Sequence, residues 1–187
     1  MINLTRTDFI LLGQVALHCD QQKLDIAIQE AIQFDLKELS CDFFFELNEN
    51  WGGTNPKYNE LIEGGTYTNC RGNTITFQGL KNALVYFSYS RYIMINSYSD
   101  TPNGQVTKTN QFTIPKPLKE MESYATKYKN LGLIAFKDSA AFLCQFKEDP
   151  EFSSYDFTKC KECTCSACKP KTKGRQFGLR GQNVTKF

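Results

Sequence analysis

A single histidine, His18, serves all 187 residues, and that scarcity narrows the chemistry more than any other feature of the chain. A serine or cysteine nucleophile usually needs a neighbouring base, so triad-type arrangements have almost nothing to draw on. His18 stands beside Cys19, too close in sequence for a dyad built by a fold, and reads as a helix C-terminal residue facing the last carbonyls. Neither a G-x-x-x-x-G-K-[ST] phosphate loop nor a G-x-G-x-x-G dinucleotide fingerprint is present. No apolar run approaches the roughly 18–20 residues that span a bilayer. The opening stretch, MINLTRTDFILLGQVALHCD, has no basic leader and no small-residue cleavage site, which argues against a signal peptide. An enzyme is therefore the weakest reading, no membrane contact is expected, and the thiols are expected to stay reduced in a cytosol.

What the chain does have is aromatic mass and an uneven charge. Fifteen Phe and nine Tyr sit in a chain that is 41% hydrophobic, enough apolar material for one core. The net charge of +2 hides a division. Residues 159–187 hold eight Lys or Arg against one acidic residue, Glu162, a net +7, whereas the remainder carries a net −5. The natural division is a helical domain over 1–152 and a basic, cysteine-rich arm over 153–187. An arm of this kind seeks an anionic or carbonyl-rich surface, or stays solvated.

The periodicity predicts a mainly α protein: a helical bundle with two long helices, one or two β-hairpin insertions and an extended C-terminal tail. A first helix starts near Thr5 or Thr7 and ends near His18–Asp20. A second runs through residues 21–50 on the stripe Leu24, Ile28, Ala31, Ile32, Leu36, Leu39 and Phe43. Gly52, Gly53 and Pro56 stop it, and a short helix follows from Pro56. Alternation over residues 66–77 predicts a hairpin, and Asn103–Gly104 marks the turn of a second hairpin or a linker. The longest helix runs from Leu118 to about Asp149 on the stripe Met121, Ala125, Tyr128, Gly132, Ala135, Ser139, Phe142 and Phe146.

The helix over 79–99 is apolar on two sides. Leu80, Leu84, Phe87, Met94 and Tyr98 mark one face, and Val85, Tyr89 and Tyr92 another. Such a helix must be covered on both sides, by its own fold or by a neighbouring subunit. Phe87, Tyr89, Arg91 and Tyr92 are the candidate interface residues, with Phe87 and Tyr89 expected on opposite sides of the helix, one in the core and one facing a neighbour. Arg91 falls within the first stripe, as a snorkelling edge residue or a functional one. Acidic residues are spread over polar faces and are expected to be solvated. Cys19, Cys41, Cys70 and Cys144 are isolated and expected to be small core residues.

The order of these elements, with YNELIEGGTYT leading into FQGLKNALVYFSYSRYI and on to DTPNGQVTK, resembles the head–tail connector (adaptor) proteins of tailed bacteriophages. It is most similar to the form in crAss-like and related Bacteroidetes-infecting phages, over roughly residues 1–152. The resemblance implies a structural virion protein, made in the host bacterial cytoplasm, that assembles into a ring, usually twelvefold, below the portal. Its implied partners are copies of itself, the portal protein, neighbouring tail or ring proteins, and genomic DNA passing without sequence specificity. Such a ring extends the DNA channel, helps retain the genome and offers the tail a platform. A slightly acidic body suits a channel that must not grip phosphates.

The arm lies outside that resemblance. Cys160-x-x-Cys163 and Cys165-x-x-Cys168 are two C-x-x-C pairs separated by one residue, each suited to two corners of a zinc site. The usual zinc spacing between pairs is about 15–20 residues, so a single-ion site within the arm is strained. Metal binding, a disulfide formed on oxidation and chance clustering all remain open at this stage, and no cofactor is required for the body. A second functional reading follows: a small metal-binding nucleic-acid regulator that uses the Cys/Lys-rich tail.

Overall fold

The computed structural model of the chain describes residues 1–12, 20–69, 72–101, 104–107, 117–147 and 149–160. Expectations for His18, Cys19, Cys70 and the cysteines beyond Cys160 lie outside the described residues. The opening element is a 3-10 turn, Arg6–Leu12, rather than an α-helix. Its start is fixed by Asp8, whose carboxylate accepts from the Thr5 amide at 2.7 Å and the Thr5 hydroxyl at 2.9 Å.

Asp20 caps α1 (Gln21–Glu30), accepting from the Lys23 amide. The helix then widens into a π-turn over Ala31–Leu36 and closes in the short α2 (Lys37–Ser40). Cys41 breaks the path with φ +53, and α3 (Phe43–Asn50) sets off in a new direction. The single helix expected over 21–50 is thus divided, although its stripe is buried through Leu24, Ile28, Ala31, Ile32, Leu36 and Phe43. Cys41 is exposed, not a core residue. Positive φ is costly for a residue with a β-carbon, so tertiary packing on both sides of the break must hold it.

Asn55 caps α4 (Pro56–Glu63), with Pro56 where its missing N–H does no harm. The first hairpin pairs β1 (Gly65–Thr68) with β2 (Thr74–Phe77), Gly65 opposite Phe77 and Thr68 opposite Thr74. Then comes α5 (Gly79–Asn96), followed by a second hairpin of β3 (Tyr98–Thr101) and β4 (Gly104–Thr107) with Thr101 opposite Gly104. The last long helix, α6 (Leu118–Leu143), is 26 residues, about 39 Å at 1.5 Å per residue. It tightens into a 3-10 turn at Cys144–Phe146 instead of running on to Asp149.

The axis of the fold is α5, packed antiparallel on α6. Ser97 meets Met121, the Ser90 hydroxyl donates to the Ala125 carbonyl at 2.7 Å, and Phe87 lies on Gly132. A β-carbon on Gly132 would come within 2.6 Å of the Phe87 ring, so only glycine lets this ring reach the α6 backbone. The buried side of α6 is Ala125, Tyr128, Gly132, Ala135, Ser139, Phe142 and Leu143, close to the expected stripe. On its other flank α5 receives α1, where the Lys23 ammonium donates to the Ile95 carbonyl at 3.1 Å. The molecule is a helical bundle with two hairpins, its core running through α5.

Candidate functional site

That packing decides the fate of the expected interface. Phe87, Tyr89 and Tyr92 are all buried within this one chain. Tyr89 meets the Tyr128 ring edge-on at 4.7 Å and stacks with Tyr92 at 6.3 Å. The second apolar side of α5 is covered by its own α6, so these three are corrected from interface to core.

Arg91 is half-buried and paired with carboxylates. Its Nε donates to Asp35 at 2.6 Å and its terminal nitrogen to Glu30 at 3.3 Å, and the guanidinium lies 5.5 Å from the Phe34 ring centre. The Asp35 side chain is only 10% exposed, so this carboxylate is structural, against the expectation that acidic residues are solvated. A charge so deep needs a partner, and the π-turn supplies it by placing Phe34 and Asp35 beside α5. A cleft of about 250 Å³ opens here, bounded by Glu30, Asp35, Arg91, Met94 and Lys129. Its four charges cancel, which suits packing better than capture of an ion.

Beyond Arg91, two phenylalanines, Phe34 and Phe45, reach the surface with the buried Phe44 beside Phe45. Phe34 is 60% exposed and shares a shallow depression with Gln33, Lys37, Glu38 and Cys41. The Lys37 ammonium stands over the Phe44 ring at 5.9 Å, and Phe44 meets Phe45 edge-on at 6.0 Å. Phe45 is 64% exposed. Ile134 of α6 is 55% exposed. These surface residues escape a reading by periodicity, because they sit off the core stripe.

A second cluster ties down residues 149–160. The Tyr58 hydroxyl and the Ser154 hydroxyl each meet one oxygen of the Glu46 carboxylate, and Tyr58 lies 2.8 Å from the Glu151 carbonyl. Burial first, then Glu46, push the Tyr58 hydroxyl far above its ordinary value, so it stays protonated. Phe152 is fully buried, 4.9 Å from Tyr58 and 5.3 Å from Phe146, and Tyr155 meets Phe43 edge-on at 5.5 Å. Cys160 forms a disulfide with Cys144 at the end of α6. The body therefore continues to Cys160, and the expected boundary at 152 is corrected. Cys144 is half of a crosslink rather than a small core residue, and Cys160 in this state is not open to a metal. Among the described residues no group of His, Cys, Asp or Glu could hold a metal ion, and no helix is long and apolar enough to cross a membrane.

Lys57 completes the clamp, 2.5 Å from Asp149 and 3.0 Å from Glu151. The Lys57 ammonium, and after it the Glu151 N–H, hold the Asp149 carboxyl below its usual range. A carboxyl lowered on folding contributes stability above its unfolded value, about 4, and loses it as pH falls through the folded value. Acid should therefore loosen the clamp first. Pepsin below about pH 4 is expected to cut between 147 and 160 while circular dichroism still reports intact long helices. Cleavage spread evenly over the chain would contradict a locally acid-sensitive clamp.

The model of a protein family described as a family of unknown function, DUF6712, matches residues 36–165. The chain belongs to this family. No curated protein matches the chain, and no solved structure does. The DUF6712 span takes in α3 through α6, both hairpins and the clamp, and it ends beyond Cys160 and Cys163 at Cys165. A family unit that runs past residue 152 agrees with the corrected boundary.

Proposed function

We propose that this DUF6712 chain is the head–tail connector subunit of a tailed bacteriophage, forming a ring below the portal through which DNA passes. The observation that carries the reading is that large apolar side chains on different helices, among them Phe34, Phe45 and Ile134, stay exposed among the described residues. Phe34 belongs to the π-turn, Phe45 to α3 and Ile134 to α6. A ring needs a heterologous contact, one surface against a different one, and exposed aromatics are costly unless covered. The motifs YNELIEGGTYT, FQGLKNALVYFSYSRYI and DTPNGQVTK, on which the resemblance to connector proteins rests, support the same reading. In it the chain works through surfaces, its partners are the portal, neighbouring ring or tail proteins and unsequenced contact with DNA, and its place is the virion.

The double variant Phe34→Asp, Phe45→Asp tests it. Both side chains lie outside the core, so helix content should stay native, with a stability loss of about 1 kcal/mol as Phe34 gives up its ring contact with Arg91. Oligomer formation should fall sharply. A variant that assembles as the native chain does would remove both residues from the interface.

A further inference from the structure

The clamp segment, residues 149–160, is held to the body in two ways. The first is packing. Phe152 fills a slot between α3, α4 and the end of α6, against Phe43, Tyr58 and Phe146, and Tyr155 meets Phe43 and Phe157 edge-on. Around these rings Glu151, Ser153, Asp156 and Thr158 are exposed. The backbone bonds Phe152 to Asp149, Tyr155 to Phe152 and Cys160 to Phe157 close within the segment itself. The second hold is covalent: Cys160 is bonded to Cys144, 16 residues earlier at the end of α6. Both cysteines are only half-buried, so a small thiol can reach the bond. The contacts that join α5 to α6, at Phe87, Tyr89 and Ser90, include no residue of the clamp segment.

We propose that the Cys144–Cys160 disulfide is a reversible redox latch on this segment. Oxidised, the latch keeps residues 149–160 over the slot. Reduced, the segment opens far more often and uncovers Phe43, Tyr58 and Phe146, while the bundle stays folded. Opening runs by thiol–disulfide exchange with a small dithiol. The dithiol gives up two electrons and two protons and leaves as its own disulfide, and Cys144 and Cys160 take them up as two thiols. Closing is the reverse, with a small disulfide as the oxidant. Seating Phe152 and Tyr155 brings the α-carbons of Cys160 and Cys144 to 5.6 Å, so packing directs the bond to this pair. Losing a crosslink across 16 residues returns loop entropy to the open form, on the order of 100-fold in the opening equilibrium. The latch belongs to the single chain and does not depend on ring assembly.

Amide hydrogen exchange of the full chain, read by peptide mass before and after reduction with a dithiol, tests the latch. Exchange of the Phe152 and Tyr155 amides should rise on the order of 100-fold on reduction, with α5 and α6 unchanged. Reoxidation with a small disulfide should restore slow exchange, and peptides mapped without reductant should show Cys144 joined to Cys160. Cys160→Ser should exchange at the fast rate with or without dithiol. Cys41→Ser, which changes an exposed cysteine outside the clamp, should respond to dithiol as the native chain does. Clamp exchange that ignores reduction overturns the proposal, since packing alone would then hold the segment. So does an equal rise in α5 and α6, or a Cys160→Ser chain that loses helix content, because the bond would then support the whole bundle. Reoxidation that joins Cys160 to any other cysteine overturns it as well.

Discussion

Replacing Phe87 with alanine is expected to cost about 3–5 kcal/mol, a large part of the roughly 5–15 kcal/mol that holds a typical domain folded. Phe87 is 1% exposed and rests on the bare backbone of Gly132, so truncation leaves a void that no nearby side chain can fill. Tyr89→Ala should follow it, at about 3 kcal/mol, because its ring is enclosed by Tyr92 and Tyr128. Phe45→Ala, at the exposed surface, should move stability by no more than about 0.5 kcal/mol. Urea unfolding of the three variants checks the order. A Tyr89→Ala chain as stable as native would mean that α6 does not cover this side of α5.

A single added methyl group at Gly79 should be nearly as damaging. Gly79 has φ +80, and a β-carbon there would lie 2.4 Å from both the Gly64 amide nitrogen and the Ile62 carbonyl oxygen. All of these are backbone atoms, so no rotamer change relieves the contact. A β-carbon on Gly64, itself at φ +94, would lie 2.6 Å from the Phe77 carbonyl oxygen. The end of α4 and the start of α5 thus cross backbone on backbone. Conformational strain of about 1–3 kcal/mol and an overpacking cost of similar size make about 3 kcal/mol a fair expectation for Gly79→Ala. In a chain of this size that lowers the melting temperature by about 6–12 °C. Gly52→Ala is the control: φ is +71 but nothing lies within 4 Å, so strain alone, about 1 kcal/mol, should appear. Equal losses at the two positions would contradict the close crossing.

How far these features are legible in sequence depends on how local they are. The buried side of α6 can be read directly, because Ala125, Tyr128, Gly132, Ala135, Ser139 and Phe142 recur at helical steps. The two-sidedness of α5 is equally plain. What covers its second side is not, since a stripe looks the same whether α6 or a neighbouring subunit lies on it. The break at Cys41 is hidden because apolar residues keep their rhythm on both sides of it, through Leu36 and Phe43. Arg91 and Asp35 are 56 residues apart, and Glu46 and Ser154 are 108 apart, so each pairing exists only once the helices have packed. The same is true of Cys144, which gains a partner only when the clamp folds back along α6. For the candidate site, periodicity points to the side chains a fold buries. The exposed Phe34 and Phe45 are what remains when that burial is complete.

Self-association is the claim on which the functional reading turns, and the native mass of the purified full chain measures it most directly. A closed ring predicts one dominant species on the order of twelve copies of the 21.4 kDa chain, with ring-shaped particles of a single size by electron microscopy. A monomer at every concentration, or a two-fold dimer that grows no further, would contradict it.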